Sequence, residues 1–255
     1  MMRPTIEEAI DALRAAETDL LAQLKTERGR RRGALNRQLH DLRRRLRPDG
    51  YRFVSQAGQD LVVDRLFKAK RGGTFVDIGG YDGVSGSNTF FLEMFRGWTG
   101  ILIEPVTTQV EAARRIRRCQ CRRLAIARVD GEEDFIEISE GYTQMSGLAA
   151  SYDPGLLDTV RADPRHKETV VKVPTRTLSA VLGEAGVPDP DFVSLDVEGA
   201  EIAILSEFPF DRHRVGLWSI ENNTGSPRLG QIMRPAGYEL IEFCGPDELW
   251  RRRDL

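Results

Sequence analysis

The stretch FVDIGGYDGVSGSNT, residues 75–89, decides the fold. Thr74 to Ile78 form a short run rich in β-branched and aromatic residues, which predicts a buried strand. Gly79, Gly80 and Gly83 then permit a sharp turn and a close backbone approach by a ligand. Ser87 and Asn88 are N-capping types at the start of a helix expected to reach about Phe95. Strand, Gly-rich turn and helix in that order suit a doubly wound α/β sheet.

The alternation continues on both sides. Gln59 to Lys70 reads as a preceding helix. Ile101-Leu102-Ile103 is a second buried strand ending in Glu104-Pro105, followed by a basic helix from about Thr107 to Arg118. Leu124 to Ala127 and Asp134 to Ile138 read as further short strands. Residues 141–168 are polar, Gly-rich and weakly patterned, which predicts an insertion or lid. Thr177 to Leu182 is a short helix, and Phe192 to Leu195 a strand ending in Asp196. A helix over about Ala200 to Glu207 leads to the strand Val215 to Ile220, which ends in Glu221. After a helical turn at Leu229 to Met233, Tyr238 to Phe243 and Glu248 to Arg252 pair as a closing antiparallel hairpin. The expectation is a mainly parallel, seven-stranded sheet with helices on both faces.

Composition limits the alternatives. Hydrophobic residues make up 40% of 255, enough for a sizeable core and too many for a disordered chain. No apolar run approaches the ~18 residues of a membrane span. Glu7, Glu8 and Asp11 fall where a signal peptide needs apolar residues, so a cytoplasmic protein is expected. Three cysteines cannot form a disulfide framework, and the spacing of Cys119 and Cys121 matches no zinc motif. His40, His166 and His213 read as surface residues.

The net charge of −2 hides a division. Residues 1–50 hold 12 Lys and Arg against 8 Asp and Glu, a net of +4, and the other 205 residues hold 25 against 31, a net of −6. Thr5 to Glu8 reads as a capping box, followed by Ile6, Ile10, Leu13, Leu20 and Leu24 at helical spacing. A second stripe, Leu35, Leu39, Leu42 and Leu46, lies among arginines. Residues 1–50 are thus a basic amphipathic helical extension, and 51–255 the main domain, expected to fold without it. The stripe needs a cover. The chain's own domain or a second copy comes first, as a homo-oligomer in the latter case. An anionic surface, at the inner face of a membrane, comes next. Duplex nucleic acid is not expected, because no aromatic interleaves the arginines and the rest is acidic.

Four predicted strands end in or beside an acid: Asp77, Glu104, Asp196 and Glu221. Open α/β sheets bind ligands outside the carboxyl ends of their strands, so these acids converge on one edge. The turn spacing is G-G-x-x-G rather than G-x-G-x-x-G, and Asp77 and Asp82 would repel the pyrophosphate of NAD. S-adenosylmethionine carries an ammonium and a sulfonium, which carboxylates attract. Glu104, 27 residues after Asp77, is placed to accept both hydroxyls of a ribose.

With SQAGQD (55–60), FVDIGGYDGVSGSNT (75–89), GILIEP (100–105) and LDVEGAE (195–201), the chain resembles the FkbM family of methyltransferases over about residues 51–243. The resemblance implies a Rossmann-like, class I methyltransferase fold, S-adenosylmethionine, and methyl transfer to oxygen on sugars, polysaccharides, glycolipids or polyketide-type products. It assigns Asp77, Gly79, Tyr81, Asp82 and Gly83 to the methionine-side loop, and Glu104 and Pro105 to the ribose. Ser87 and Asn88 match a stretch where a helix N-terminus faces the cofactor. Ala125 and Ile126 match the adenine edge, with Ser146-Gly147-Leu148 near it, while Gln59 and Asp60 either cover the cofactor or cap a helix. The N-terminal helices lie outside the resemblance.

For catalysis, Asp196, Glu198 and Glu221 are the candidates, with Glu201 read as an ordinary helix N-terminal acid. A sugar hydroxyl must shed a proton, either to a carboxylate base, Glu198 or Asp196, or with help from a metal. Asp196, Glu221 and Asn222 supply three oxygen ligands, which suit Mg²⁺. The competing functions are a catalytically silent cofactor-binding scaffold acting through its N-terminal helices and a nicotinamide oxidoreductase. The acid set disfavours the first, and the loop charge the second.

Overall fold

The computed structural model describes residues 5–255, so residues 1–4 of the predicted extension lie outside the described residues. Helix α1 (Ile6–Thr26) starts with the expected capping box: Thr5 accepts from the Glu8 amide, and Glu8 accepts from the Thr5 amide at 2.7 Å. Helix α2 (Arg31–Leu46) packs against it through Leu20, Leu35, Leu39 and Leu42, with Leu13, Leu24 and Leu46 alongside. Ile6 and Ile10 stay exposed, so only the later part of the predicted α1 stripe is used. No helix among the described residues is long and apolar enough to cross a membrane.

The main domain opens with α3 (Gln59–Leu66), β1 (Thr74–Ile78), α4 (Phe90–Arg96), β2 (Thr99–Ile103), α5 (Thr107–Ile116) and β3 (Gln120–Arg122). A second group follows: β4 (Ala125–Ile126), β5 (Gly131–Glu140), β6 (Gly147–Leu148), α6 (Pro154–Arg161) and β7 (Lys167–Arg176). The chain then returns through α7 (Leu178–Glu184), β8 (Phe192–Leu195), α8 (Glu201–Ser206), β9 (Leu217–Glu221), α9 (Arg228–Met233), β10 (Tyr238–Cys244) and β11 (Asp247–Arg252). The main sheet has seven strands in the order β10-β11-β9-β8-β1-β2-β3. β11 pairs antiparallel with both neighbours, as the closing hairpin requires, and the other pairings are parallel. Strand order reverses at β1, with β2 on one side and β8 on the other, which is where this architecture opens a ligand crevice. The fold is the class I methyltransferase form of the Rossmann-like sheet.

One face of this sheet buries Val76, Ile101, Val193, Trp218 and Trp250. The other packs Phe75, Phe192, Leu217 and Leu249 against Trp98 and the α3–α4 side.

Two regions differ from the sequence expectation. Leu124 to Ala127 does not supply the third strand of the main sheet. Gln120–Arg122 does, and Ala125–Ile126 joins a separate four-stranded sheet, β4-β7-β5-β6. Much of the predicted lid is therefore regular structure, including α6, capped by Asp153. β7 escaped notice because exposed Val170 and Pro174 blur the alternation of inward Val171, Val173 and Thr175.

The second difference is the tail. α2 lies on β10: Arg32 holds Glu242 through two bonds of 2.6 Å, and Asn36 donates to the Phe243 carbonyl. The Gly245 amide donates to the Gly33 carbonyl at 3.0 Å. A Cβ on Gly33 would collide with the Gly245 carbonyl, so glycine sets how closely the helix approaches. The leucine stripes of α1 and α2 thus cover each other, where the main domain or a second copy was expected first as their cover, and the extension meets the domain through the polar contacts of α2.

Candidate active site

Register brings the acids to one level. Ile103, Ile78, Leu195 and Ile220 are successive partners across β2, β1, β8 and β9. Glu104, Gly79 and Asp196 each follow one of these partners, and Glu221 follows Ile220. Gly79 has φ +77°, and a Cβ there would run into the Asp196 carbonyl, so the turn can approach β8 only with glycine. Beyond this level opens a cavity of about 540 Å³.

One half of the cavity has the features of a nucleoside site. Glu104 is buried, accepting from the Val106 amide at 2.8 Å and the Tyr81 amide at 3.0 Å. Burial raises its pKa to about 7 despite those two bonds. Pro105, Ala125, Ile126 and Leu148 line the adjoining wall. Tyr81, at φ 48°, ties the turn to the insertion through its hydroxyl, 2.9 Å from Thr143 Oγ1. Asn88 donates to Ser194 Oγ at 2.9 Å, and its buried Oδ1 has no partner. Ser87 faces the cavity and also accepts from the Phe90 amide, so it caps α4 as well.

Asp77 faces the cavity but is not a free charge. It accepts from Thr89 Oγ1, and the Arg117 guanidinium lies 3.6 Å away. Arg117 also pairs with buried Glu93. Burial raises the Asp77 pKa, and Arg117 counters it. Sequence reading missed Arg117, because an arginine at the end of a basic helix gives no sign of being buried. The attraction for a cation assigned to this turn therefore rests on other acids.

Asp82 and Gly83 do not line the cavity, contrary to expectation. Asp82 accepts from the Val84 and Ser85 amides, and Gly83 packs against Ala113 and Arg117. Gln59 and Asp60 are likewise occupied: Asp60 accepts from the Val54, Ser55 and Leu61 amides, and Gln59 from Ala57. His40 and His213 are buried rather than on the surface, with His40 against the Tyr51 hydroxyl and His213 between Ser179 and the Pro188 carbonyl.

The other half of the cavity holds Asp196, Glu198 and Glu221, whose nearest oxygens all lie within 4.8 Å of one another. Glu198 has φ 58°, an uncommon conformation for a residue with a Cβ, and its buried Oε2 has no partner. Burial, then the neighbouring acids, lift Asp196 to about 8 and push Glu198 and Glu221 well above the usual carboxylate range. Like charges this close do not all ionise in a sheltered site without a cation or a shared proton. Asn222, expected beside Asp196, is turned away: its carboxamide bonds Ser226 and Glu248, and Glu198 takes its place in the cluster. Glu201, the first residue of α8, reaches back to accept from the Val197 and Gly199 amides of the preceding turn. The mouth carries Arg30 and Arg37 from the tail, which sequence reading did not place near the site.

The Methyltransferase FkbM domain family matches residues 77–240. Among solved structures, the chain is similar to a methyltransferase FkbM from Methylobacillus flagellatus KT, with 14% identity and a TM-score of 0.48, over 95% of this chain and 60% of that one. The chain thus spans 60% of the length of that structure. It is also similar to a TehB-like SAM-dependent methyltransferase from Corynebacterium glutamicum, at 11% identity and a TM-score of 0.42, over 86% and 99% of the two chains. A methyltransferase from Pyrococcus furiosus follows at 13% identity and 0.40, over 85% and 98%. No curated protein matches the chain. The family match takes in the Gly-rich turn, Glu104 and the carboxyl cluster, and the chain belongs to the FkbM methyltransferase family, a membership that supports methyl transfer from S-adenosylmethionine.

Proposed function

We propose that the chain methylates a hydroxyl oxygen of a sugar, polysaccharide or glycoconjugate. The carrying observation is that the carboxyl cluster, with the unpartnered Glu198 Oε2, shares one cavity with Glu104. The residues present fit S-adenosylmethionine. Glu104 keeps lone pairs free for ribose hydroxyls, and Ala125, Ile126 and Leu148 offer an apolar wall for adenine. Asn88 Oδ1 is a buried acceptor in need of a donor such as an ammonium. When bound, the cofactor supplies an electrophilic methyl group beside a cationic sulfur.

A sugar hydroxyl is too weak an acid to lose its proton unaided near neutral pH. Asp196, lifted to about 8, is matched to accept that proton as the oxygen bonds to carbon. Glu198 and Glu221 lie close enough to share it. A second reading has a specific observation behind it: three converging carboxylates are hard oxygen donors that would hold Mg²⁺, which lowers the pKa of a bound hydroxyl.

Calorimetry with S-adenosylmethionine and a methyl-transfer screen against sugars test the proposal. Binding without transfer to any hydroxyl would leave a silent scaffold. Dialysis against EDTA separates the two mechanisms: transfer that persists in chelator assigns the proton to the carboxylates, and loss restored by Mg²⁺ assigns the metal.

A further inference from the structure

The cavity is bipolar. Its floor is a carboxyl cluster, and its mouth is formed partly by a helix whose described face is basic. Arg30, Arg37 and Arg44 stand seven residues apart, so two helical turns, about 10 Å, separate each from the next on one face. Arg30 and Arg37 line the cavity, and Arg44 lines an open groove beside it. The two openings share Gln56, Ser85, Gly86 and Gln144, so they form one continuous depression. Asp41, between the arginines in sequence, lines neither opening.

The three arginines differ in their partners. Arg30 is held by Glu248 at 2.7 Å and by the Asn222 carbonyl, which fixes the start of the row. Arg37 and Arg44 are exposed, and among the described residues neither makes an ion pair or hydrogen bond. Other arginines of the same helix are spent on structure: Arg32 on Glu242, Arg43 on Glu17. Two uncommitted guanidiniums beside a concave opening are donors for planar or tetrahedral oxyanions.

We propose that the acceptor is an anionic carbohydrate, whose carboxylate or phosphate lies on Arg37 and Arg44 while its hydroxyl reaches the floor. This rests on reading the cavity as the site of methyl transfer to a sugar. Charge supports the polarity: an anionic group at the floor would meet the carboxyl cluster, whereas the mouth attracts it. The span from Arg37 to Arg44 suits a short oligosaccharide rather than a single ring. A membrane surface is the weaker occupant, because the leucines of α2 are buried against α1 and do not flank the arginines.

The test uses the full chain with S-adenosylhomocysteine and calorimetry against trigalacturonate, maltotriose phosphate and neutral maltotriose. Both anionic probes are expected to bind more tightly than maltotriose, with an affinity that falls as salt rises. Replacing both arginines, Arg37→Ala with Arg44→Ala, should weaken the anionic probes roughly tenfold or more and leave maltotriose unchanged. Arg37→Lys with Arg44→Lys should recover part of the loss, and circular dichroism checks that each variant is folded. The tighter of the two anionic probes identifies carboxylate or phosphate as the group. Equal binding of charged and neutral probes, or an unchanged double-alanine variant, overturns the proposal. So does binding of the wild type to phosphatidylglycerol vesicles, lost in the double variant, with no response to the anionic sugars. Failure of the parent reading looks different: S-adenosylmethionine itself would not bind, or no sugar hydroxyl of any charge would be methylated.

Discussion

The floor and the mouth of the cavity are built from different parts of the chain and follow different rules. The floor is made by the carboxyl ends of β1, β2, β8 and β9, where register sets Glu104, Asp196 and Glu221 at one level. Its groups are sheltered, mutually close and shifted in pKa. The mouth is made by the tail helix and the segment around Thr143–Ser146, and its free arginines are solvated. A sheltered charge is costly to move or orphan, while a solvated one changes little in stability when replaced. On the reading proposed above, chemistry sits on the floor, which the sheet fixes, and selectivity at the mouth, which is built from exposed side chains.

The largest expected effect lies beneath the floor. Arg117→Met leaves Asp77 and Glu93 buried without their shared cation, and should cost about 3–5 kcal/mol of stability in urea denaturation. A loss as small as that of an exposed ion pair would break the contrast between the regions. Next, Glu104→Gln should weaken S-adenosylmethionine by roughly 1.5–3 kcal/mol in calorimetry, the usual worth of a hydrogen bond to a charged group. Cofactor affinity in the wild type should also drop as pH falls below about 7, where Glu104 takes up a proton.

Gly33→Ala sharpens the other side of the comparison. The methyl group meets the Gly245 carbonyl, so α2 must shift on β10, at a cost of about 1–3 kcal/mol in thermal melting. Cofactor affinity should hold, because the floor does not depend on that contact. An effect of similar size is a pH slope. Asp196 titrates at about 8 in the folded protein and near 3.8 by its ordinary value, so the native state keeps a proton that the unfolded chain releases. That contribution is full below about pH 4 and is lost as pH rises toward 8. The melting temperature should therefore decline between pH 6 and about 8.5 by this term, and Asp196→Asn should flatten the decline.

Much of the site was legible because its residues are strand ends. An apolar run followed by an acid states both where a strand stops and what it offers, as at Ile103-Glu104 and Leu195-Asp196. The backbone-holding roles of Asp60 and Asp82 were not separable from ligand contact, since a short carboxylate serves either purpose with the same local sequence. Glu198 took the place in the cluster expected for Asn222 for a similar reason: a side chain's direction just past a strand depends on loop conformation, here the φ of 58° at Glu198.

The sequence by itself determined the main sheet except its β3 edge, the Gly-rich turn and the family, because those depend on short-range periodicity, glycine freedom and the order of blocks along the chain. It also set the two N-terminal helices and their leucine stripes. Only the tertiary structure decided that the second helix docks on β10, that Arg117 lies buried beneath Asp77, and that Arg37 reaches the cavity. Those contacts join residues far apart in the chain, as Asn36 joins Phe243, and an arginine's local pattern is the same whether it meets water, an acid or a ligand.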